Sequence, residues 1–290
     1  MATRTWDGSS SGAWDTALNW TPATVPVDDD DVIIPASATQ DITTDLDQSD
    51  VTLASFTIEH GATIDIGSQA GHLLIGGAAA SIWHLGGSGS YWMDIAGDAG
   101  IPEIHVDGTG FYSLNSYAAQ NMCTTLKITN ASATVWIAEE PVAVAEVATI
   151  QNGGATLLVG DGVTGLDGAA AFALTTSSGT VTTASPMTVL TVTGGTVTVE
   201  EGAIATLNAY AGVVYHLGGT ITAANVFTDG NLDFSKRMCT CAVTAATLQG
   251  AATYNDPYNR VLATTAITFN GTSTATATVN VGQDLTFTVS

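Results

Sequence analysis

Apolar and polar positions alternate along most of the chain, in short runs that glycines interrupt. The recurring phrase is apolar-x-apolar, two or three residues that include glycine, and then apolar-x-apolar again. Alternation with a period of two is typical of strands that bury one face. Copies of the phrase begin at Phe56, Ile150, Leu190, Leu207, Val226 and Leu248. The pattern predicts an all-β chain built from one repeated unit.

The spacing of the glycines favours a solenoid. Gly195 and Gly212 are 17 residues apart, Gly212 and Gly230 are 18 apart, and Gly230 and Gly250 are 20 apart. Two short strands with their corners fill roughly this length, and a corner that needs positive φ or close backbone approach selects glycine. We therefore predict a parallel, right-handed β-helix whose coils stack at a nearly constant pitch.

A β-sandwich or jelly roll built from hairpins remains the alternative, because it would show a similar alternation. Asn152-Gly153 and Asp229-Gly230 are candidate hairpin turns. The strands beside them are short, however, and they recur at nearly constant spacing. Parallel stacking explains that spacing, whereas a Greek key does not require it.

The two ends depart from the repeat, which predicts three segments. Residues 1–35 form a Trp-rich cap or attachment segment, residues 36–260 the β-helix body, and residues 261–290 a strand-rich C-terminal cap or tail. A solenoid needs such caps because its terminal coils would otherwise expose apolar cross-sections and unpaired backbone groups.

Composition and charge narrow the classes of partner. Charged residues make up 11% of the chain, where a soluble domain normally has about 25%. The formal net charge is -22, so binding to a phosphate backbone or to an anionic membrane is disfavoured. No run reaches the roughly 18 apolar residues of a spanning helix, and the residues after Met1 do not resemble a secretion signal. We expect a soluble chain with no nucleic-acid or membrane partner and no export signal.

Cofactor and metal chemistry are not expected. The three cysteines, Cys123, Cys239 and Cys241, are interpreted as small buried hydrophobic residues, because they lack the spacing of a zinc site and Cys239 is too close to Cys241 for good disulfide geometry. The run Asp28 to Asp31 lacks the alternating ligands of a calcium loop and is interpreted as a solvated loop.

Catalysis is not supported by the acidic and basic residues. A polysaccharide lyase needs clustered cations, and the five Lys and Arg residues are scattered except for the adjacent pair Lys236 and Arg237. A glycosidase needs two carboxylates about 5 to 9 Å apart in one groove. Neighbours on a strand point to opposite faces, so Glu139-Glu140 and Glu200-Glu201 are interpreted as solvated corners. His84 and His216 lie in matching phrases, which we interpret as a repeated corner and not as a catalytic pair.

The aromatic residues are the candidate contact sites. Asp94 and Asp98 lie among aromatic residues that include Trp83 and Trp92. This neighbourhood could stack sugar rings, although packing against a neighbouring subunit is the preferred interpretation. Apolar area concentrated on few side chains marks contact surfaces. The predicted interaction residues are Trp6, Trp14, Trp20, Trp83 and Trp92.

Two stretches resemble known β-helical proteins. The pattern Trp6-x-Gly8, Gly12-x-Trp14, Asn19-Trp20, Pro, Asp and then Val32-x-Ile34 is similar to the start of β-helical proteins in bacteriophage structural modules and in autotransporter-like surface proteins. The stretch from Gly218 to Pro257 resembles the closing coils of the phage members.

The resemblance implies a non-enzymatic virion structural protein, assembled in the host cytoplasm. We expect a capsid decoration or cement protein on the outer surface of a phage head. Its partners would be the major capsid protein or other virion proteins, and it would form a homotrimer. The alternatives are a tail spike or fibre receptor-binding module, and a bacterial surface adhesin or glycan-acting β-helix enzyme.

Overall fold

The computed structural model describes residues 1–96, 101–117, 121–138, 143–236, 241–259, 261–262, 266–270 and 277–281. Within these ranges the chain is all-β, and its helical content is two short 3-10 turns, Ala17–Asn19 and Leu166–Gly168. No helix in the described ranges is both long enough and apolar enough to cross a membrane.

The strands are short in most of the chain and are numbered here in chain order. Strands β1 to β12 are Thr3–Trp6, Trp20–Thr21, Asp31–Ile34, Asp47–Ile58, Leu73–Leu85, Ser90–Ala96, Ile101–Val106, Phe111–Ser116, Asn121–Ile128, Thr134–Ile137, Ala145–Asn152 and Thr156–Val159. Strands β13 to β24 are Val163–Thr164, Phe172–Thr176, Thr180–Thr183, Met187–Val192, Thr196–Val199, Ile204–His216, Thr220–Asp233, Cys241–Leu248, Thr253–Asp256, Val261–Leu262, Ala266–Phe269 and Thr278–Val281.

The chain divides into two compact units, Met1–Phe172 and Ala173–Ser290. The division falls inside the predicted body of residues 36–260. The boundaries predicted at residues 35 and 260 rest on the sequence alone.

Parallel strands in the first unit place one buried side chain directly above the next. Strands β3, β4, β5, β7, β9 and β11 pair in parallel in that order. Their in-register residues, none of which is exposed, are Val32, Phe56, Trp83, Ile104, Leu126 and Ile150. A second row, on β6, β8, β10 and β12, contains Tyr91, Tyr112, Val135 and Leu157. These rows form the core of the unit.

The second unit is built in the same way. Strands β15, β17, β18, β19 and β21 pair in parallel and bury Val181, Val197, Val214, Leu232 and Tyr254 in register. Every one of these residues was an apolar position of the repeated phrase or lies in the same alternation. The prediction that the apolar set points inward is confirmed at these positions.

Gly195 and Gly212 have the positive φ that the predicted corners require, although Gly212 lies inside β18. Gly195 has φ 79° and Gly212 has φ 82°, both in the left-handed region that favours glycine. The amide of Val213 donates to the carbonyl of Gly195 at 3.0 Å. A side chain on Gly212 would collide with that same carbonyl. Gly212 also pairs in register with Gly230, as the spacing predicted.

The predicted constant pitch is wrong. Asn208 and Asn225, which bond across neighbouring strands, are 17 residues apart, but Asn255 and Asn280 are 25 apart. In the first unit Asp94 and Asn115 are 21 residues apart. Corners therefore differ in length while the strand register is kept, because parallel pairing constrains the strands and leaves the connections free.

Hairpins contribute little to the pairing. Asp229-Gly230 lies inside β19 and is not a turn. Within the described ranges the antiparallel contacts are β1 with β2 and a single bridge between Ser68 and Gly71. A largely parallel all-β architecture of this kind is compatible with a β-helix, and the described strands do not form the antiparallel ladders that a hairpin-built sandwich requires.

Candidate functional site

The N-terminal tryptophans are packed into the interior and do not form a surface. Trp6 and Trp14 are fully buried, and Trp20 is 1% exposed. Trp20 contacts the other two rings edge-on, with centroids 5.1 Å and 4.8 Å away. The predicted role of these three side chains as direct contact residues is therefore corrected, because a partner cannot reach them while the chain is folded. We call them the N-terminal tryptophan cluster.

One member of the acidic run holds the N-terminal strand in place. Asp30 is buried and accepts hydrogen bonds from Arg4 Nε at 2.8 Å and from the amide of Ala2 at 2.7 Å. Burial alone would raise the pKa of Asp30, but the hydrogen bonds from Arg4, Ala2 and Val27 outweigh it and lower that pKa. The interpretation of the run as a solvated loop is wrong for Asp30, since the sequence did not reveal its partner Arg4.

Trp83 is also buried. It packs against Phe56, with ring centroids 5.3 Å apart, and none of its surface is exposed. It belongs to the core row of β5 and is therefore separated from Trp92, with which the sequence grouped it. The predicted contact role of Trp83 is corrected for the same reason as that of the N-terminal tryptophan cluster.

Trp92 differs from the other four predicted contact residues because it points outward. Its neighbours Tyr91 and Met93 are buried, and Trp92 itself is partly exposed. Phe111 and Trp136 lie beside it on β8 and β10, and both are partly exposed. Ring centroids are 4.8 Å apart for Trp92 and Phe111, and 4.9 Å apart for Phe111 and Trp136. We call Trp92, Phe111 and Trp136 the surface aromatic cluster.

A small residue allows the two indoles to meet. Ser113 pairs in register with Trp92 on one side and with Trp136 on the other. Strands two apart in a sheet are separated by about 9.5 Å, yet the centroids of Trp92 and Trp136 are only 6.2 Å apart. The two rings therefore lean toward each other across Ser113, whose side chain is buried beneath them.

Three polar side chains border the aromatic rings. Asp94 Oδ1 accepts a hydrogen bond from His72 Nδ1 at 2.7 Å and another from Asn115 Nδ2 at 3.1 Å. Asn115 Oδ1 in turn accepts from the amide of Ala138 at 3.1 Å. Because a carboxylate only accepts, His72 carries its proton on Nδ1. The His72 ring also lies 5.5 Å from Trp92, which joins the polar edge to the aromatic cluster.

Hydrogen bonds fix the orientation of the Asp94 carboxylate, but they occupy only one of its two oxygen atoms. Its side chain is 32% exposed. Oδ1 receives both hydrogen bonds, and within the described residues Oδ2 receives none. An oriented oxygen beside exposed rings can accept a hydrogen bond from a ligand hydroxyl.

The carboxylate pairs considered for glycoside hydrolysis are not assembled by the described residues. Asp98, the predicted companion of Asp94, lies outside them, as do Glu139 and Glu140. Glu200 and Glu201 are both exposed at a bend, which confirms that they form a solvated corner. No group of three or more His, Cys, Asp or Glu in the described ranges could hold a metal ion. Cys123 and Cys241 are buried, as predicted, and Cys239 lies outside the described residues.

His84 and His216 do not occupy equivalent corners. His84 is exposed, with Trp83 and Leu85 buried on either side of it. His216 is itself buried, at 1% exposure, and neither of its ring nitrogens has a hydrogen-bond partner among the described residues. Burial lowers the pKa of His216 from 6.5 to about 4. A shift of one residue in register reverses the facing of a strand, so the matching phrases were misleading.

A row of basic side chains lies on a different strand set from the aromatic cluster. His84, His105 and Lys127 are in register on β5, β7 and β9. The rings of His84 and His105 are 5.7 Å apart. Burial, more than any other effect, lowers the pKa of His105, with Lys127 and His84 acting in the same direction and Asp107 opposing them. Glu103 and Asp107 flank this row, which makes it a mixed-charge surface.

Sequence reasoning missed four of the six residues of the site. Trp92 and Asp94 were named from their local aromatic neighbourhood, but His72, Phe111, Asn115 and Trp136 were not. The available signal was the outward position of Trp136 in the alternation of Thr134–Ile137. The register that brings Trp136 beside Trp92 connects residues far apart in the chain, so no local pattern could reveal it.

Comparison with known proteins yields a match to one family model. A family model described as "Domain of unknown function (DUF8693)" matches residues 5–77. That region contains the N-terminal tryptophan cluster and His72, but it ends before Trp92. No curated protein and no solved structure matches the chain.

Proposed function

We propose that the chain is a non-enzymatic structural protein of a virion surface, a capsid decoration protein built as a right-handed parallel β-helix with an N-terminal cap. The observation that carries this proposal is the in-register stacking of buried rows, such as Val32, Phe56 and Trp83, on parallel strands. Stacked rows of this kind make a stiff scaffold whose outer surface binds partners.

The N-terminal tryptophan cluster supports the capping role. Strand β1 pairs in parallel with β3, and β3 continues into the core row through Val32. Trp6 lies at the end of β1 and packs on Trp20. Three indoles at the start of these rows keep water from the apolar residues beneath.

The location is supported by the resemblance to phage β-helical modules and by charge. A net charge of -22 is repelled by packaged nucleic acid, which favours a position outside the shell.

Exposed apolar residues in the N-terminal segment are better candidates for the proposed attachment surface than the tryptophans are. Leu18 is 64% exposed and Val27 is 52% exposed. Large apolar side chains this exposed in a chain with few of them are candidates for burial against a partner. We therefore place capsid attachment at Leu18 and Val27.

The test is co-sedimentation of purified protein with phage heads that lack it, together with mass spectrometry of intact particles. The Leu18→Asp, Val27→Asp double variant should lose at least tenfold in capsid affinity. The control variant Tyr258→Asp, which alters an equally exposed residue, should bind normally. Absence of the chain from purified particles, or equal binding by both variants, would contradict the proposal. Native mass spectrometry of the same samples tests the proposed trimer.

A second candidate function is a tail spike or fibre module that recognises a receptor. One observation favours it, namely the surface aromatic cluster. Several outward positions elsewhere in the parallel sheets hold small polar residues, for example Thr180 and Thr196 in register on β15 and β17, and the second unit has an outward aromatic pair, Tyr210 and Phe227. Three adjacent aromatic rings at such positions indicate recognition of a ligand and not simple solvation.

A further inference from the structure

The surface aromatic cluster has the composition of a sugar-binding surface. Trp92, Phe111 and Trp136 present partly exposed rings at adjacent strands. The face of an aromatic ring carries partial negative charge, and the C–H groups of a pyranose ring carry partial positive charge. A flat sugar face therefore stacks on such rings while its hydroxyls point to the sides.

The polar edge supplies what stacking alone lacks, which is orientation. Asp94 is held by His72 and Asn115 so that Oδ2 is left to accept a hydrogen bond. Ligand sites commonly combine apolar walls with a few fixed polar groups in this way. The carboxylate does not need to reorganise when a hydroxyl approaches, because two donors already hold it.

The negative charge of the protein restricts the kinds of sugar that can bind at this surface. Asp94 is negative, and the whole chain carries a formal charge of -22. Uronic acids and sulfated or sialylated glycans would be repelled both locally and at long range. The ligand that fits is a neutral hexopyranose, or a short run of such units laid across β6, β8 and β10.

We infer that Trp92, Phe111 and Trp136, with the Asp94 carboxylate at their edge, form a binding site for a neutral glycan. This inference deepens the second candidate function, the receptor-binding module, and rests on it. It does not depend on capsid attachment through Leu18 and Val27, so its failure would leave the decoration proposal untouched.

The test is binding of the full-length protein to neutral oligosaccharides of glucan, galactan, mannan and chitin type, with oligogalacturonate as the acidic comparison. A glycan array identifies the binder, and titration calorimetry measures its affinity. The expected result is binding of at least one neutral series and none of the acidic one. Failure of every neutral series at millimolar concentration would overturn the inference.

Variants then locate the site. Trp92→Ala and Trp136→Ala should each weaken binding at least tenfold, and Asp94→Asn should weaken it about threefold to tenfold. The matched control is Tyr210→Ala, which removes an exposed ring stacked on Phe227 in the second unit, and it should bind like the parent. Circular dichroism confirms that each variant is folded. Unchanged binding by both tryptophan variants would contradict the site.

The competing occupant of the surface is a second copy of the chain. Analytical ultracentrifugation of the Trp92→Ala and Trp136→Ala variants separates the two. If the inference is right, the sedimentation coefficient stays that of the parent while glycan affinity falls. Dissociation of an oligomer by either variant, without any glycan binding by the parent, would show a subunit interface and overturn the glycan site.

Discussion

The N-terminal tryptophan cluster and the surface aromatic cluster each consist of three aromatic rings at similar distances, yet they differ in what surrounds them. In the first, Trp20 is 1% exposed and its indole nitrogen donates to the carbonyl of Trp14 at 2.8 Å. In the second, Trp92 is partly exposed and borders an oriented carboxylate. Ring contacts alone therefore do not distinguish packing from recognition, whereas the facing of the residue on its strand does.

Removing one ring from each cluster should give the largest contrast. Trp20→Ala should lower the free energy of unfolding by about 3–5 kcal/mol, because it empties a buried site and removes a hydrogen bond. Trp136→Ala should cost about 1 kcal/mol or less, as surface substitutions usually do. Guanidinium denaturation followed by circular dichroism measures both. Similar losses for the two variants would mean that the surface cluster is core.

The same contrast of interior and exterior applies to the two histidines, His216 and His84. The pKa of His216 is lowered to about 4 when folded, so the unfolded chain takes up the proton first as pH falls. Stability from neutral His216 is fully present above pH 6.5 and declines between pH 6.5 and 4, by about 3 kcal/mol at the lower limit. Denaturation at several pH values should show this loss in the second unit.

The control for that measurement is a pair of substitutions. His216→Leu should remove the decline between pH 6.5 and 4, because it removes the group that binds the proton. His84→Leu should leave the decline in place, since His84 is exposed. A decline that persists in His216→Leu would assign the pH dependence to other groups.

A smaller effect should follow from releasing the strand that carries Trp6. Asp30→Asn removes the charge that pairs with Arg4 at 2.8 Å and should cost about 1–3 kcal/mol. In the parent, the lowered pKa of Asp30 means that this stability is present above the ordinary carboxyl pKa and is lost as pH falls through the folded value. Asp28→Asn, one of its exposed neighbours in the acidic run, is the control and should cost less than Asp30→Asn in the same denaturation assay.

Local pattern was sufficient for the core but not for the site. The phrase that begins at Phe56 places Phe56 and Ile58 inward, and Gly195 and Gly212 do have left-handed backbone conformations. Facing could not be deduced where two phrases matched in letters, because a shift of one residue buried His216 and exposed His84.

The side chains that contact Trp92 could not be predicted from the sequence, for a different reason. Phe111 and Trp136 meet it through strand register, and the sequence separation of in-register residues is not constant: it is 17 for Asn208 and Asn225 but 25 for Asn255 and Asn280. Arg4 and Asp30 are likewise paired across 26 residues. Contacts of this range depend on the stacking of the whole sheet, which alternation and glycine spacing specify only approximately.

The central claim, that one aromatic cluster is enclosed and the other faces solvent, is tested most directly by oxidative footprinting of all six tryptophans with mass spectrometry of the native protein. The account predicts rapid modification at two positions and protection at four. The reactive residues should be Trp92 and Trp136, and the protected ones Trp6, Trp14, Trp20 and Trp83. Protection of Trp92 and Trp136, or rapid modification of the N-terminal tryptophan cluster in the folded chain, would contradict it.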